Sequence, residues 1–155
     1  MTRVRAALGA VLWMGLLAAA PAFGQDGVKG VDEAWIQAVK AGNVEAVVAL
    51  YAPDAVLYPP DALEARGTAA IRASYESMLS AVVVNEASID SQYQTSGDVS
   101  VGFGKATLTM TPKGGGSPQI MSVRVTAVAR KIGGKWLYVV DHASAPLPPP
   151  PSPKP

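Results

Sequence analysis

"AGNVEAVVALYAPDAVLYPPDALEARGTAAIRASY", residues 41–75, decides the fold. Its first three residues close a helix in which Val31, Ala34, Trp35, Ala38 and Val39 recur at helical spacing. Asn43 suits the cap of a second helix, whose apolar side is Val44, Val47, Val48 and Tyr51, and Pro53 is expected to stop it. "AVLY" then reads as a short strand that Pro59 and Pro60 keep from extending. From Gly67 a third helix presents Ile71, Tyr75, Met78 and Leu79 on one side. Two aspartates punctuate the stretch. Asp54 follows the expected helix stop, and Asp61 lies between the proline pair and the third helix. Both read as turn residues whose side chains can bond nearby backbone. Whether Asp61 enters a pocket stays open.

Downstream the pattern changes. "VVVNEASIDSQYQ", "DVSVGFGKATLTM", "IMSVRVTAVARKI" and "KWLYVVDHAS" are rich in β-formers, and "TSG", "TPKGGGSPQ" and "GG" separate them as turns. Helices followed by an antiparallel meander give an α+β domain. Three helices pack on one face of a curved, mostly antiparallel sheet.

Both ends differ from this domain. "MTRVR" is basic, "AALGAVLWMGLLAAA" is apolar, and "PAFGQ" offers small residues for cleavage. This is the pattern of an export signal, with cleavage expected after Gly24 and Ala22 as the alternative. Its apolar run is short for a membrane span, which needs about 20 residues. The expected organisation is a signal peptide over 1–24, the α+β domain over 25–145 and a proline-rich tail over 146–155, an exposed polyproline II segment. The mature protein is thus expected outside the cytoplasm, periplasmic or extracellular, with no membrane attachment after cleavage.

Composition removes several function classes. The full chain carries 13 Lys+Arg against 12 Asp+Glu; without Arg3 and Arg5 the count is 11 against 12. A near-neutral domain has no general pull on nucleic acid. Cysteine is absent and His142 is the only histidine, so no zinc site is expected and nothing calls for a cofactor.

The last hairpin permits a reading of side-chain facing. A two-residue turn at Gly133-Gly134 pairs Ile132 with Lys135. Even alternation then sets Val128 opposite Val139 and Thr126 opposite Asp141, with Arg124 diagonal to Asp141. On this reading Arg124 and Asp141 form a charge pair on one face, which the family resemblance given below turns inward and which offers a planar fork to a carboxylate. A slip of one residue would reverse every side chain and bring in His142, so its place in the pocket stays open. The opposite face would carry Met121, Val123, Val125, Trp136, Tyr138 and Val140. An exposed apolar face of that size predicts a back-to-back homodimer.

Three segments, "W…AGNVEAVVALYAPDAV", "GTAAIRASY" and "GGKWLYVVDHAS", carry a resemblance over roughly residues 30–144. The chain resembles the nuclear transport factor 2-like superfamily, in particular its ketosteroid isomerase and polyketide cyclase-like group and the exported branch of it. The resemblance implies a cone: three helices closing over a curved sheet with a pocket inside. It also places the isomerases' aspartate base at Pro59, their oxyanion tyrosine at Trp35 and their protonated acid at Thr126. Proline accepts no proton, so steroid isomerisation by that mechanism is not expected. Tyr51 falls where the family has a pocket aromatic, and Tyr75 matches a tyrosine that supports the oxyanion donor. The expected pocket residues are therefore Trp35, Tyr51, Tyr75, Arg124, Thr126, Asp141 and His142, with no catalytic residue assigned. The expected partner is a small-molecule ligand. The expected function is isomerisation, dehydration or cyclisation of a small apolar or cyclic substrate. The alternatives are non-catalytic binding of a hydrophobic or carboxylate ligand, or a dimeric interaction module.

Overall fold

The computed structural model describes residues 27–146. The expected signal peptide, and the proline-rich tail beyond Pro146, lie outside the described residues.

Helix α1 (Val28–Lys40) runs into a turn at Ala41-Gly42, and the Asn43 side chain accepts the Ala46 N–H at 3.0 Å to cap α2 (Val44–Val48). The expected second helix is shorter than its apolar pattern. Tyr51 opens strand β1 (Tyr51–Tyr58) instead of closing a helix. Pro53 therefore does not stop a helix; it lies inside the strand. It is tolerated there because β1 breaks its pairing with the last strand: five steps from Tyr51 to Val56 match two from Tyr138 to Val140. A residue without an N–H costs no ladder bond at such an irregularity. Asp54 sits in the same break and is exposed, as is Asp61 beyond the proline pair.

A two-residue strand β2 (Ala65–Arg66) leads into α3 (Gly67–Ala81). Four long strands follow: β3 (Val82–Ser96), β4 (Val99–Pro112), β5 (Gln119–Ile132) and β6 (Lys135–Ser144). The sheet order is β2-β1-β6-β5-β4-β3, antiparallel throughout except for the β1–β6 pair. This is the α+β arrangement expected: three helices on one face of a curved, unclosed sheet. The buried core between them includes Val28, Val39, Val47, Leu50, Ile71 and Leu79.

Two contacts fix α1 over the sheet. The Val28 N–H donates to Ser100 Oγ at 3.0 Å, and Thr95 Oγ1 donates to the same fully buried hydroxyl at 2.8 Å. Glycine in β4 lets the layers approach. A Cβ on Gly102 would lie 2.7 Å from the Val28 side chain, and one on Gly104 would lie 2.1 Å from the Asp90 backbone carbonyl. Gly104→Ala must therefore push β3 away from β4, at a cost of about 1–3 kcal/mol or more. Urea denaturation should show that loss; a midpoint equal to wild type would mean that β3 yields freely at Asp90.

Candidate active site

The Gly133-Gly134 turn forms with both glycines at positive φ, and Ile132 pairs with Lys135. Even alternation holds as far as Ala129 opposite Tyr138. It then breaks, because Val128 pairs with Val140 and leaves Val139 as an extra residue in β6. An extra residue of this kind reverses the alternation beyond it, so that residues three apart across it share a face. Tyr138 and Asp141 both point into the cone, while Val140 and His142 point out.

This overturns the expected Arg124–Asp141 pair. Asp141 stands opposite Ala127, and Arg124 stands opposite Ser144 on the outer face, where its guanidinium donates to the Ala145 carbonyl at 3.2 Å. Thr126 is opposite His142, also outside, and the His142 ring meets Tyr58 edge-on at 5.9 Å. The face assignment of β5 was inverted: Met121, Val123 and Val125, expected outside, line the cavity together with Tyr138, and Trp136 is buried. The apolar face that argued for a back-to-back dimer is the inner wall.

The cavity has a volume of about 120 Å³. Leu57, Met78, Ile89, Leu108, Val123 and Val125 make it mainly apolar, and Pro59 and Pro60 stand at its wall. Pro59 thus occupies the wall where the resemblance placed a base, without a group that accepts a proton. Two carboxylates from other elements reach the cavity, Asp32 and Asp141. Among the described residues, none of those lining it is Lys, Arg or His.

Asp141 ends a chain of hydrogen bonds. Tyr51 Oη donates to Asp141 Oδ2 at 2.5 Å. A hydroxyl has one proton. The 2.7 Å contact between Tyr75 and Tyr51 must therefore run from Tyr75 to Tyr51, and Tyr75 in turn accepts Trp35 Nε1–H at 2.8 Å. The direction is Trp35 to Tyr75 to Tyr51 to Asp141, and each donor polarises the next. Burial raises the Asp141 carboxyl above the ordinary range, while the Tyr51 bond and the nearby His142 oppose the rise. Burial also raises the Tyr51 and Tyr75 phenols, so both stay protonated donors. Trp35, Tyr51, Tyr75 and Asp141 are thus brought together; Arg124, Thr126 and His142 are not.

Asp32 was missed by the sequence reading. It is 5% exposed, on the inner side of α1, and accepts hydrogen bonds from Tyr138 at Oδ1 and from Tyr93 at Oδ2, the latter at 3.0 Å. Burial pushes its carboxyl up to about 6 against the two tyrosine bonds, and the charges of Asp141 and Glu33 add to the rise. A sequence signal existed. Val28, Val31, Trp35 and Val39 define the buried side of α1, and Asp32 falls within it. A carboxylate on an apolar helix face is a candidate functional group.

A SnoaL-like domain model matches residues 33–139. The chain belongs to the SnoaL-like family of the nuclear transport factor 2-like superfamily. No curated protein matches it by sequence. Among solved structures, it is similar to a candidate calcium/calmodulin-dependent protein kinase II association domain from Xanthomonas campestris. That match has 32% identity, a TM-score of 0.68, and covers 83% of this chain and 93% of that one. A ketosteroid isomerase-like protein from Erwinia carotovora atroseptica shares 23% identity at a TM-score of 0.69, covering 78% and 95%. A candidate dehydratase of the same superfamily from Streptomyces avermitilis shares 20% at 0.64, covering 78% and 94%. The last two show the common fold.

The raised Asp32 carboxyl has a consequence for stability. In the folded state it holds a proton that the unfolded chain has released between pH about 4 and about 6. Stability should therefore fall as pH rises through that window and level off above it. A shift of roughly 2 units corresponds to about 3 kcal/mol. Asp32→Asn should remove most of that slope, and Asp141, also raised, should retain a part with the same sign. Urea denaturation at pH 4, 5, 6 and 7 measures it; stability that climbs across the window would contradict the placement of Asp32.

Proposed function

We propose that this protein is an acid–base enzyme for a small neutral cyclic carbonyl compound, with Asp141 as the proton acceptor. The observation that carries the reading is the Trp35–Tyr75–Tyr51–Asp141 chain. It orients one carboxylate oxygen by a 2.5 Å bond, and Oδ1 accepts no hydrogen bond from a described residue. A carboxylate with a raised pKa in an apolar cavity is a stronger base than one in water, and a general base of this kind contributes about 10²–10⁴-fold. The size follows from the cavity. Benzene enters an engineered apolar cavity of about 150 Å³, so about 120 Å³ is the scale of one six-membered ring.

A cavity wall with two carboxylates and no cation favours a neutral ligand over the carboxylate ligand that an inward Arg124 would have suited. The isomerase-like and dehydratase-like fold relatives agree with proton transfer next to a carbonyl. In the same reading the enzyme acts after export, on the strength of the residue 1–24 pattern. It also assembles as a homodimer through the outer sheet face, where Phe103 is 37% exposed and Tyr58, Thr126, Val140 and His142 line a shallow depression. The association domain named in the Xanthomonas relative supports assembly.

Two experiments test this reading. The probe for catalysis is 3-cyclohexenone in deuterium oxide, whose conjugation to 2-cyclohexenone raises ultraviolet absorbance. Asp141 removes a proton from the carbon between the carbonyl and the alkene, the electrons delocalise into a dienolate, and a proton returns to the far carbon. The wild type should accelerate conjugation, and Asp141→Asn should lose at least about a hundredfold. Equal rates in the two proteins would rule out Asp141 as the base. Phe103→Arg, by setting a charge in the outer face, should turn a sedimenting dimer into a monomer; a wild-type chain that already sediments as a monomer at micromolar concentration removes the homodimer.

A further inference from the structure

The base reading leaves Asp32 without a role. A single carboxylate is enough to move a proton from one carbon to another, yet this cavity holds two, on different layers and in different hydrogen-bond settings. Asp141 is served by an inward chain that starts at an indole N–H and leads nowhere else. Asp32 is served by Tyr138, fully buried beside the cavity, and by Tyr93, a half-buried residue of β3. Tyr93 is thus a hydroxyl standing between Asp32 and the surface.

We propose that Asp32 is the general acid of the site and that the reaction is a dehydration, with a small neutral ring carrying a hydroxyl β to its carbonyl as the substrate class. The proposal rests on Asp141 as the base. Asp141 takes the proton from the carbon between the carbonyl and the carbinol, and the C–H electron pair becomes the new C=C bond. The carbinol C–O bond breaks with its electron pair on oxygen, and the Asp32 proton joins that oxygen to leave as water. The cycle closes when Asp141 gives up its proton to solvent and Asp32 regains one through the Tyr93 hydroxyl. Nothing is oxidised or reduced, and no further reactant is needed.

Burial raises both carboxyls. Asp32 faces Tyr138 and Asp141 from β6 and Tyr93 from β3, with Glu33 beside it on α1. The charge of Asp141 adds to the rise of Asp32 against the Tyr138 and Tyr93 bonds, whereas the Tyr51 bond and His142 oppose the rise of Asp141. One carboxyl ionised and one protonated is what an elimination of water requires, and environments that push two carboxyls apart mark such a pair.

The probe is 3-hydroxycyclohexanone, whose dehydration gives 2-cyclohexenone, the same absorbing product as in the isomerisation assay. The wild type should produce it with a bell-shaped pH profile whose falling limb lies near Asp32's raised value of about 6. Asp32→Asn should lose at least about a hundredfold in dehydration while 3-cyclohexenone conjugation falls by less than about tenfold. Tyr93→Phe removes a donor that favours the ionised form of Asp32, so the falling limb should move to higher pH. This variant keeps the test decisive even if Asp32→Asn folds poorly. Dehydration by Asp32→Asn at the wild-type rate overturns the assignment. So does an equal loss of both reactions in a folded variant, or a falling limb that Tyr93→Phe leaves in place. A wild type that conjugates 3-cyclohexenone but does not dehydrate overturns the dehydration alone, and one that does neither removes the Asp141 base as well.

Discussion

One extra residue in β6 organises the site. With even alternation, Tyr138 and Asp141 would point to opposite faces of the sheet, and the cone would hold either a phenol or a carboxylate from that strand. The bulge at Val139 puts both inside. Tyr138 can then bond Asp32 across to α1 while Asp141 meets Tyr51 on β1, and the two carboxylates end up in one cavity with separate partners. The break in β1 between Tyr51 and Val56 lies beside this point, on the neighbouring strand. Irregularities of this sort re-aim side chains at the expense of ladder bonds. Here they lie beside the cavity.

The fold was legible because its signals are local or periodic. Asn43 caps, Gly67 opens α3, the Gly133-Gly134 turn sets the hairpin, and long β-rich runs between turns can form little else. The short α2 was less so: Tyr51 continues the helical spacing of Val44, Val47 and Val48, yet pairing with Tyr138 in a parallel ladder draws it into β1. Tertiary pairing decides such cases, and periodicity over one turn cannot.

The site was only partly legible, and for a definable reason. Trp35, Tyr51 and Tyr75 lie on elements whose facing follows from helix geometry or from their neighbours. Arg124, Thr126 and His142 depend on the absolute facing of the hairpin, which a sequence of alternating residues fixes only up to inversion. Both faces of β5 carry valines, so hydrophobicity did not choose between them. Inverting the hairpin alone would put Asp141 outside, and the bulge reverses it again, so it holds its expected inner place by a route that alternation does not contain. Asp32 was accessible in principle, since α1 alone shows which side it occupies.

Trp35 brings a further consequence. Its indole N–H is the first donor of the chain that ends at Asp141, and its ring forms part of the cavity wall. Indole emission responds to local polarity and to the hydrogen bond made by its nitrogen. The protein therefore carries a native optical probe at the head of its own proton-holding network. Occupancy of the cone and rearrangement of the tyrosines reach the same chromophore, with Trp136 buried elsewhere in the core as an internal reference.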